Sequence, residues 1–409
     1  MTRKRSLSTV VAVAAVATLA LTACGSSKSA KTTTSSSGKT YTIAYQGPLS
    51  GGNAQLGLNM VYAVKLAINQ ANSGTSQFGK LPFTLKYTQQ DDQGSATQAP
   101  TAAQAIIGNS NVVAVVGPAF SGATKASGAL YAQANLATVS PSATAPDLAN
   151  NGWGNFFRVV ADDNAQGPAD AQYLAKVVKA KNVYVIDDAS AYGSGLASAF
   201  KGAAGSNNLT IESETAPGTT QCQAGQGNVQ QYDALATKIK SSGAQAVFYA
   251  GYYCDFALLT KAVRAAGYQG TLMSDDGSND PKYISQAGAS VAEGALTSCA
   301  CSVLASSPAA QAFSTQFKAL AGFAAGTYSA EAYDSANAII DVMKKLSSSG
   351  DAITRGAIVN GLKSVDFKGL TKEVKFQSNG NIAGTAVYVS KVENGQLVQL
   401  GLISDLVKQ

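Results

Sequence analysis

From Thr40 onward, short apolar runs rich in β-branched and aromatic residues alternate with longer segments whose apolar positions recur every three or four residues. The first run, TYTIAYQG, precedes a segment at 54–72 that sets Leu58, Val61, Val64 and Ile68 on one helical face. Further strands are predicted at PFTLKYTQQ, NVVAVVG, LATVS, NVYVIDD, LTIESETA, AQAVFYAG and GTLMSD, and helices at 98–107, 166–179 and 232–241. Strand and helix in alternation predict parallel sheets covered by helices. The strands are too many for one such sheet, so the body divides into two α/β domains, with a break at 156–168. A mostly helical region follows at 307–362, carrying Ala312, Phe313, Phe317 and Leu320, then Ala336, Ile339, Ile340 and Met343. The end reads as antiparallel strands around the turns Asn379-Gly380 and Asn394-Gly395.

The N-terminus follows another pattern. Arg3, Lys4 and Arg5 precede a run from Val10 to Leu21 that only Thr18 interrupts. This is a signal-peptide layout, too short for the roughly 20 apolar residues that span a bilayer. Leu21-Thr22-Ala23-Cys24 resembles the lipobox of bacterial lipoproteins, whose cysteine is lipidated and becomes the mature N-terminus. Residues 1–23 are therefore expected to be removed. Residues 24–39, almost all Ser, Thr, Gly, Ala and Lys, bury too little apolar surface to offset chain entropy and form a flexible tether. The folded body is expected outside the cell, lipid-anchored to the outer face of the bacterial cytoplasmic membrane.

Composition narrows the chemistry. Half of the net charge of +6 sits in Arg3, Lys4 and Arg5, so the body carries no nucleic-acid signature. The chain has no histidine, which excludes Ser-His-Asp and Cys-His nucleophiles and His-ligated zinc or haem. No Walker-type GxxxxGK[ST] occurs, Gly193-Ser194-Gly195 lacks the third glycine of a dinucleotide turn, and the glycine after Asp275-Asp276 is misplaced for an EF-hand. No cofactor and no metal are expected.

In open parallel sheets, ligands bind beyond the carboxyl ends of the strands. That rule selects GPLSGGN, GPAFSGAT and SPSATAP in the first half, which offer hydroxyls, glycines and helix N-termini suited to a carboxylate. In the second half it selects DDASAYG, GYYCDF and SDDGSND, which offer Tyr192, Tyr252, Tyr253, Asp275 and Asp276 for an apolar body and an ammonium. Together they describe a zwitterion receptor divided between two domains.

These segments, with VVGPAFSG, DDNAQGP, AYGSGL and FYAGYY in order between 41 and 403, resemble the type I periplasmic binding proteins for leucine, isoleucine and valine of ABC importers. The resemblance implies two doubly wound, Rossmann-like α/β lobes joined by a hinge of three crossovers: 40–162 with 299–372, and 163–298 with 373–409. It implies a monomer that hands an amino acid to membrane permease subunits, and no enzyme. By position, Ser121, Gly122, Ser142, Ala143 and Thr144 match the carboxylate side of the site. Tyr192 and Tyr252 match covering aromatics, and Asp276 an acid facing the α-ammonium, with Asp275 expected to be exposed. Leu56 replaces a frequent aromatic residue, while Phe120 and Gly94 replace a cysteine pair that some members carry, so the pocket floor differs. A short amide, urea or a larger amino acid remains open as ligand.

Besides Cys24, an exported chain with Cys222, Cys254, Cys299 and Cys301 is expected to form disulfides, with three pairings possible. Cys222 with Cys254 is favoured, because a glycine-rich loop can reach the strand end that carries Tyr252; Cys299 and Cys301 remain. Two other functions compete: a sensory receptor of the same fold, for amides or urea, and an extracytoplasmic hydrolase using paired carboxylates such as Asp91-Asp92, Asp162-Asp163 and Asp187-Asp188. Neighbours in an extended segment point apart, which argues against the hydrolase.

Overall fold

The fold is described from a computed structural model covering residues 38–218, 229–301, 304, 307–370 and 372–409. The signal peptide, Cys24, most of the tether and Cys222 fall outside the described residues. The described residues form fourteen strands: β1 (Thr40–Gly47), β2 (Thr84–Asp91), β3 (Val112–Val116), β4 (Ala137–Ser140), β5 (Phe156–Arg158), β6 (Asn182–Asp187), β7 (Thr210–Thr215), β8 (Ala246–Ala250), β9 (Thr271–Ser274), β10 (Leu296–Cys299), β11 (Asp366–Lys368), β12 (Glu373–Lys375), β13 (Tyr388–Glu393) and β14 (Gln396–Leu402).

Two sheets organise two lobes. The first is parallel throughout, in the order β2-β1-β3-β4-β5. The second runs β14-β13-β10-β9-β8-β6-β7, with β13 and β14 antiparallel at one edge. The central strands VVAVV (β3) and AVFYA (β8) are buried at every position, because helices cover both faces of a parallel sheet. Edge strands β2 and β7 alternate with exposed polar residues instead. The β13–β14 hairpin turns at Asn394 and Gly395, both at positive φ, as that dipeptide predicts. Around Asn379-Gly380 there is only a single bridge, Phe376 to Ile382, while β12 pairs with β11.

The chain leaves the first sheet after β5 and builds β6 to β10 in the second. It then returns through the helices Pro308–Ala321, Ser329–Ser348 and Arg355–Leu362, of which the last two pack on β3 and β4. It crosses once more to form β13 and β14. The helix Ala54–Ser73 buries Val61, Val64 and Ile68 as its periodicity predicts, with Leu58 only half-buried. In Pro308–Ala321, Phe313 and Phe317 are buried while Ala312 and Leu320 are exposed, a narrower stripe than expected. Ala336, Ile339, Ile340 and Met343 are all buried.

One cation ties the crossovers together. Arg158, at the end of β5, is fully buried. Its Nε donates to Asn381 Oδ1 at 2.7 Å, its Nη1 to the carbonyls of Ala143 (3.1 Å) and Ala145 (2.8 Å), and its Nη2 to Asp162 at 3.1 Å. Asp162 lies on the first crossing and caps the helix Asp163–Lys176 through the N–H of Asn164. Asn381 lies on the last crossing. Cys299 and Cys301, at the end of β10, are joined by a disulfide, and Cys254 is also disulfide-bonded.

Candidate functional site

The carboxyl ends of β3, β4, β6, β8 and β9 face one cleft between the lobes. Phe120 follows β3 and is the cap residue of the helix Ser121–Gln133, but no side chain caps that end. The first N–H groups of a helix have no partner within it, so this terminus is a ready site for an anion. Ser121 accepts from the N–H of Ala145 at 3.1 Å, which leaves its own proton for a guest. Ser142 donates to the carbonyl of Ala119 at 2.7 Å.

The second lobe supplies the acid. After β9 the chain turns through a short 3₁₀ segment, Asp276–Ser278, that buries Asp276 almost completely. Tyr192, in the first turn of the helix Ala191–Gly202, donates its hydroxyl to Asp276 Oδ1 at 2.6 Å and accepts from the N–H of Gly277 at 3.2 Å. Tyr328 donates to Asp276 Oδ2 from the crossover segment leading into Ser329–Ser348. Tyr328 is held at φ +66°, a left-handed conformation uncommon for so bulky a residue and a mark of a constrained site. Tyr252 precedes the helix Tyr253–Ala265 and stacks on Phe120, with ring centroids 4.3 Å apart; Tyr192 leans on Tyr252 at 5.2 Å. Only glycine fits at 277, since a Cβ there would lie 2.7 Å from the carbonyl oxygen of Gly251 and 3.0 Å from the Tyr192 ring. These groups enclose a cavity of about 10 Å³ lined by Phe120, Ser121, Ser142, Tyr192, Tyr252, Asp276, Gly277 and Tyr328.

The electrostatics ask for a cation. Burial pushes the Asp276 carboxyl up, against the pull of hydrogen bonds from Tyr192, Tyr328 and Gln166. Asp275 is driven well up by burial and then by Asp276, and burial likewise raises Asp163 and Asp170. Among the described residues no lysine or arginine forms an ion pair with Asp275 or Asp276. A buried carboxylate without a cationic partner is costly, so an ammonium delivered here would be strongly favoured.

A model of the periplasmic binding proteins matches residues 40–396. The chain belongs to that family. Within it, the chain is 28% identical over 362 residues to the Leu/Ile/Val-binding protein homolog 3 of Brucella melitensis, covering 88% of this chain and 93% of that one. The structure of the branched-chain amino acid transporter substrate-binding protein LivJ from Streptococcus pneumoniae, in complex with isoleucine, is 27% identical with a TM-score of 0.76, over 88% of this chain and all of that one. The leucine-binding protein LivK from Thermotoga maritima shares the fold at 23% identity and a TM-score of 0.77, over 88% of this chain and 98% of that one. This periplasmic binding protein thus has the type I, two-lobed architecture that its motifs imply. Among its described residues no helix is long and apolar enough to cross a membrane.

Six of the residues singled out from sequence meet at the cavity: Phe120, Ser121, Ser142, Tyr192, Tyr252 and Asp276. Gly122, Ala143 and Thr144 do not line it. Thr144 is fully buried, its hydroxyl beside the Asp163 carboxyl but outside hydrogen-bonding geometry. Leu56 packs into the hydrophobic core rather than the cavity. Asp275, expected to be exposed, is fully buried instead, because its Oδ2 accepts from the N–H of Gly251 at 2.8 Å and so pins β8 to β9. Gly277 and Tyr328 were not anticipated. The signal for Tyr328 was an aromatic residue straight after the glycine-rich GFAAGT, at the start of a helix.

Proposed function

We propose that this chain is the solute-binding component of an ABC importer and captures an amino acid by closing two lobes on it. The guest's carboxylate takes the Ser121 hydroxyl and the open N-terminus of the helix Ser121–Gln133; Gly122, Ser142, Ala143 and Thr144 shape that wall. Its ammonium pairs with Asp276, and Tyr192 and Tyr252 cover its body, on a floor shaped by Phe120. The observation that carries this reading is the Asp276 carboxylate, buried, held at both oxygens by phenols and paired with no lysine or arginine among the described residues. A charge so placed is tolerable when a bound cation completes it.

The lobes in this reading comprise 40–162 with 299–372, and 163–298 with 373–409, so that grasp and closure are one event. Removal of residues 1–23 leaves Cys24 lipidated at the outer face of the cytoplasmic membrane, residues 24–39 act as a tether, and the closed monomer docks on permease subunits. Cys254 bonded to Cys222 stiffens the wall that bears Tyr252.

The test is a thermal-shift panel of amino acids, amides, urea and small sugars on the purified chain. A cognate guest at 100 times its dissociation constant adds about 2.7 kcal/mol of stability. A shift with sugars alone, or with none of the amino acids, would refute the reading.

A further inference from the structure

The ring pair Phe120 and Tyr252 joins the two lobes face to face, its planes only 23° apart. Phe120 rides on the loop after β3 and Tyr252 on the loop after β8, so the two faces belong to different sheets. They separate whenever the lobes part. Room for the Phe120 ring is made by Gly94: a Cβ there would stand 2.7 Å from Cδ2 and Cε2 of the ring, and the φ of +69° also favours glycine. The two positions are therefore one unit, a ring and the space it needs.

This pair walls two cavities at once. On its inner side lies the small chamber with Asp276. On its outer side lies a cavity of about 470 Å³, bordered by Ser50, Gln93, Gln98, Ser190 and Asp188 as well as by the two rings. A guest whose charged end is held at Ser121 and Asp276, and whose body outgrows the inner chamber, must pass between the rings. Resting on the amino-acid reading above, we propose that Phe120 and Tyr252 form an inter-lobe slot that selects amino acids with a planar aromatic side chain.

The physical reason is shape. Two parallel rings at contact distance admit a third flat ring when they part by about one further contact spacing, ~3.5 Å, and each face regains a stacked partner. A branched aliphatic side chain is tetrahedral and thick, so it meets flat faces over less area and leaves gaps that water cannot fill. The outer cavity accommodates the far edge of the guest's ring and, with its polar lining, a hydroxyl on it.

The experiment is calorimetric titration of the full chain, purified in mild detergent, with L-phenylalanine, L-tyrosine, L-leucine and L-isoleucine. Phenylalanine and tyrosine are expected to bind at least about tenfold more tightly than leucine or isoleucine. In Phe120→Leu, and independently in Tyr252→Leu from the opposite lobe, the ratio of the leucine to the phenylalanine dissociation constant is expected to fall toward one. Melting curves of each variant establish that it is folded, and the ratio is read only within one protein. Leucine or isoleucine binding as tightly as phenylalanine, or an unchanged ratio in both variants, overturns the slot while leaving the amino-acid reading intact. If none of the four binds, the amino-acid reading fails and the slot with it.

Discussion

Replacing Asp276 by asparagine removes the charge while keeping the size and one acceptor oxygen, so the Tyr192 hydrogen bond survives. Two quantities then diverge. Binding loses the pairing of a buried carboxylate with the guest's ammonium; breaking one side of a buried pair costs about 3 to 5 kcal/mol. At 1.4 kcal/mol per decade that is a loss of roughly two to three and a half decades in affinity. The empty protein behaves in the opposite sense. Asp276 is nearly completely buried, raised by desolvation and crowded by Asp275, Asp163 and Asp170, so neutralising it relieves repulsion. The ligand-free variant is expected to melt at the same temperature as the parent or higher. Titration calorimetry with the best guest from the panel, paired with scanning calorimetry of the empty protein, reads both. An affinity within twofold of the parent would refute the claim that Asp276 neutralises the guest; a large fall in melting temperature would show a structural rather than a ligand-directed charge.

Three further outcomes follow from the same geometry. Ser121→Ala removes a hydroxyl donor to a charged group and is expected to weaken binding by about 1.5 to 3 kcal/mol, read as a change in the dissociation constant; no change would move the carboxylate elsewhere. Gly277→Ala forces a methyl group against the Gly251 carbonyl and the Tyr192 ring, so a destabilisation of about 1 to 3 kcal/mol is expected in denaturant unfolding, together with weakened binding. Asp92 and Asp188 are pushed up to about 6, both chiefly by burial. Folded carboxyls of this kind take up protons while the unfolded chain, near 3.9, is still ionised. Stability of the empty protein should therefore rise as pH falls from about 7 toward 4, by up to about 3 kcal/mol per group; a lower melting temperature at pH 5 than at pH 7.5 would contradict this.

Much of this architecture is written in local pattern. Runs such as VVAVV and AVFYA announce buried parallel strands, and the strand-end rule selects the segments that carry Ser121, Tyr192, Tyr252 and Asp276, among which the resemblance singles out these residues. What stayed hidden is what distant segments decide. Asp275 looks like a solvated turn residue until β8 is laid beside it and the Gly251 N–H claims its carboxylate. Tyr328 sits among small residues on a crossover, and nothing nearby in the chain says that its hydroxyl reaches an acid 52 positions earlier. Strand β5, of three residues, is too short to stand out and borrows its order from its neighbour in the sheet.

Arg158 gives the lobes something like a bearing. Its guanidinium grips Asp162 on the outgoing strand of chain, Asn381 on the final one and the carbonyls of the loop that backs the anion seat. In the proposed closure, a swing of one half against the other would turn around this planar fork, with the seat's loop clamped to the same axle. A lysine there would offer charge without the fork and leave the axle loose, so in this reading the accuracy with which the jaws meet would rest on a residue outside the cavity lining.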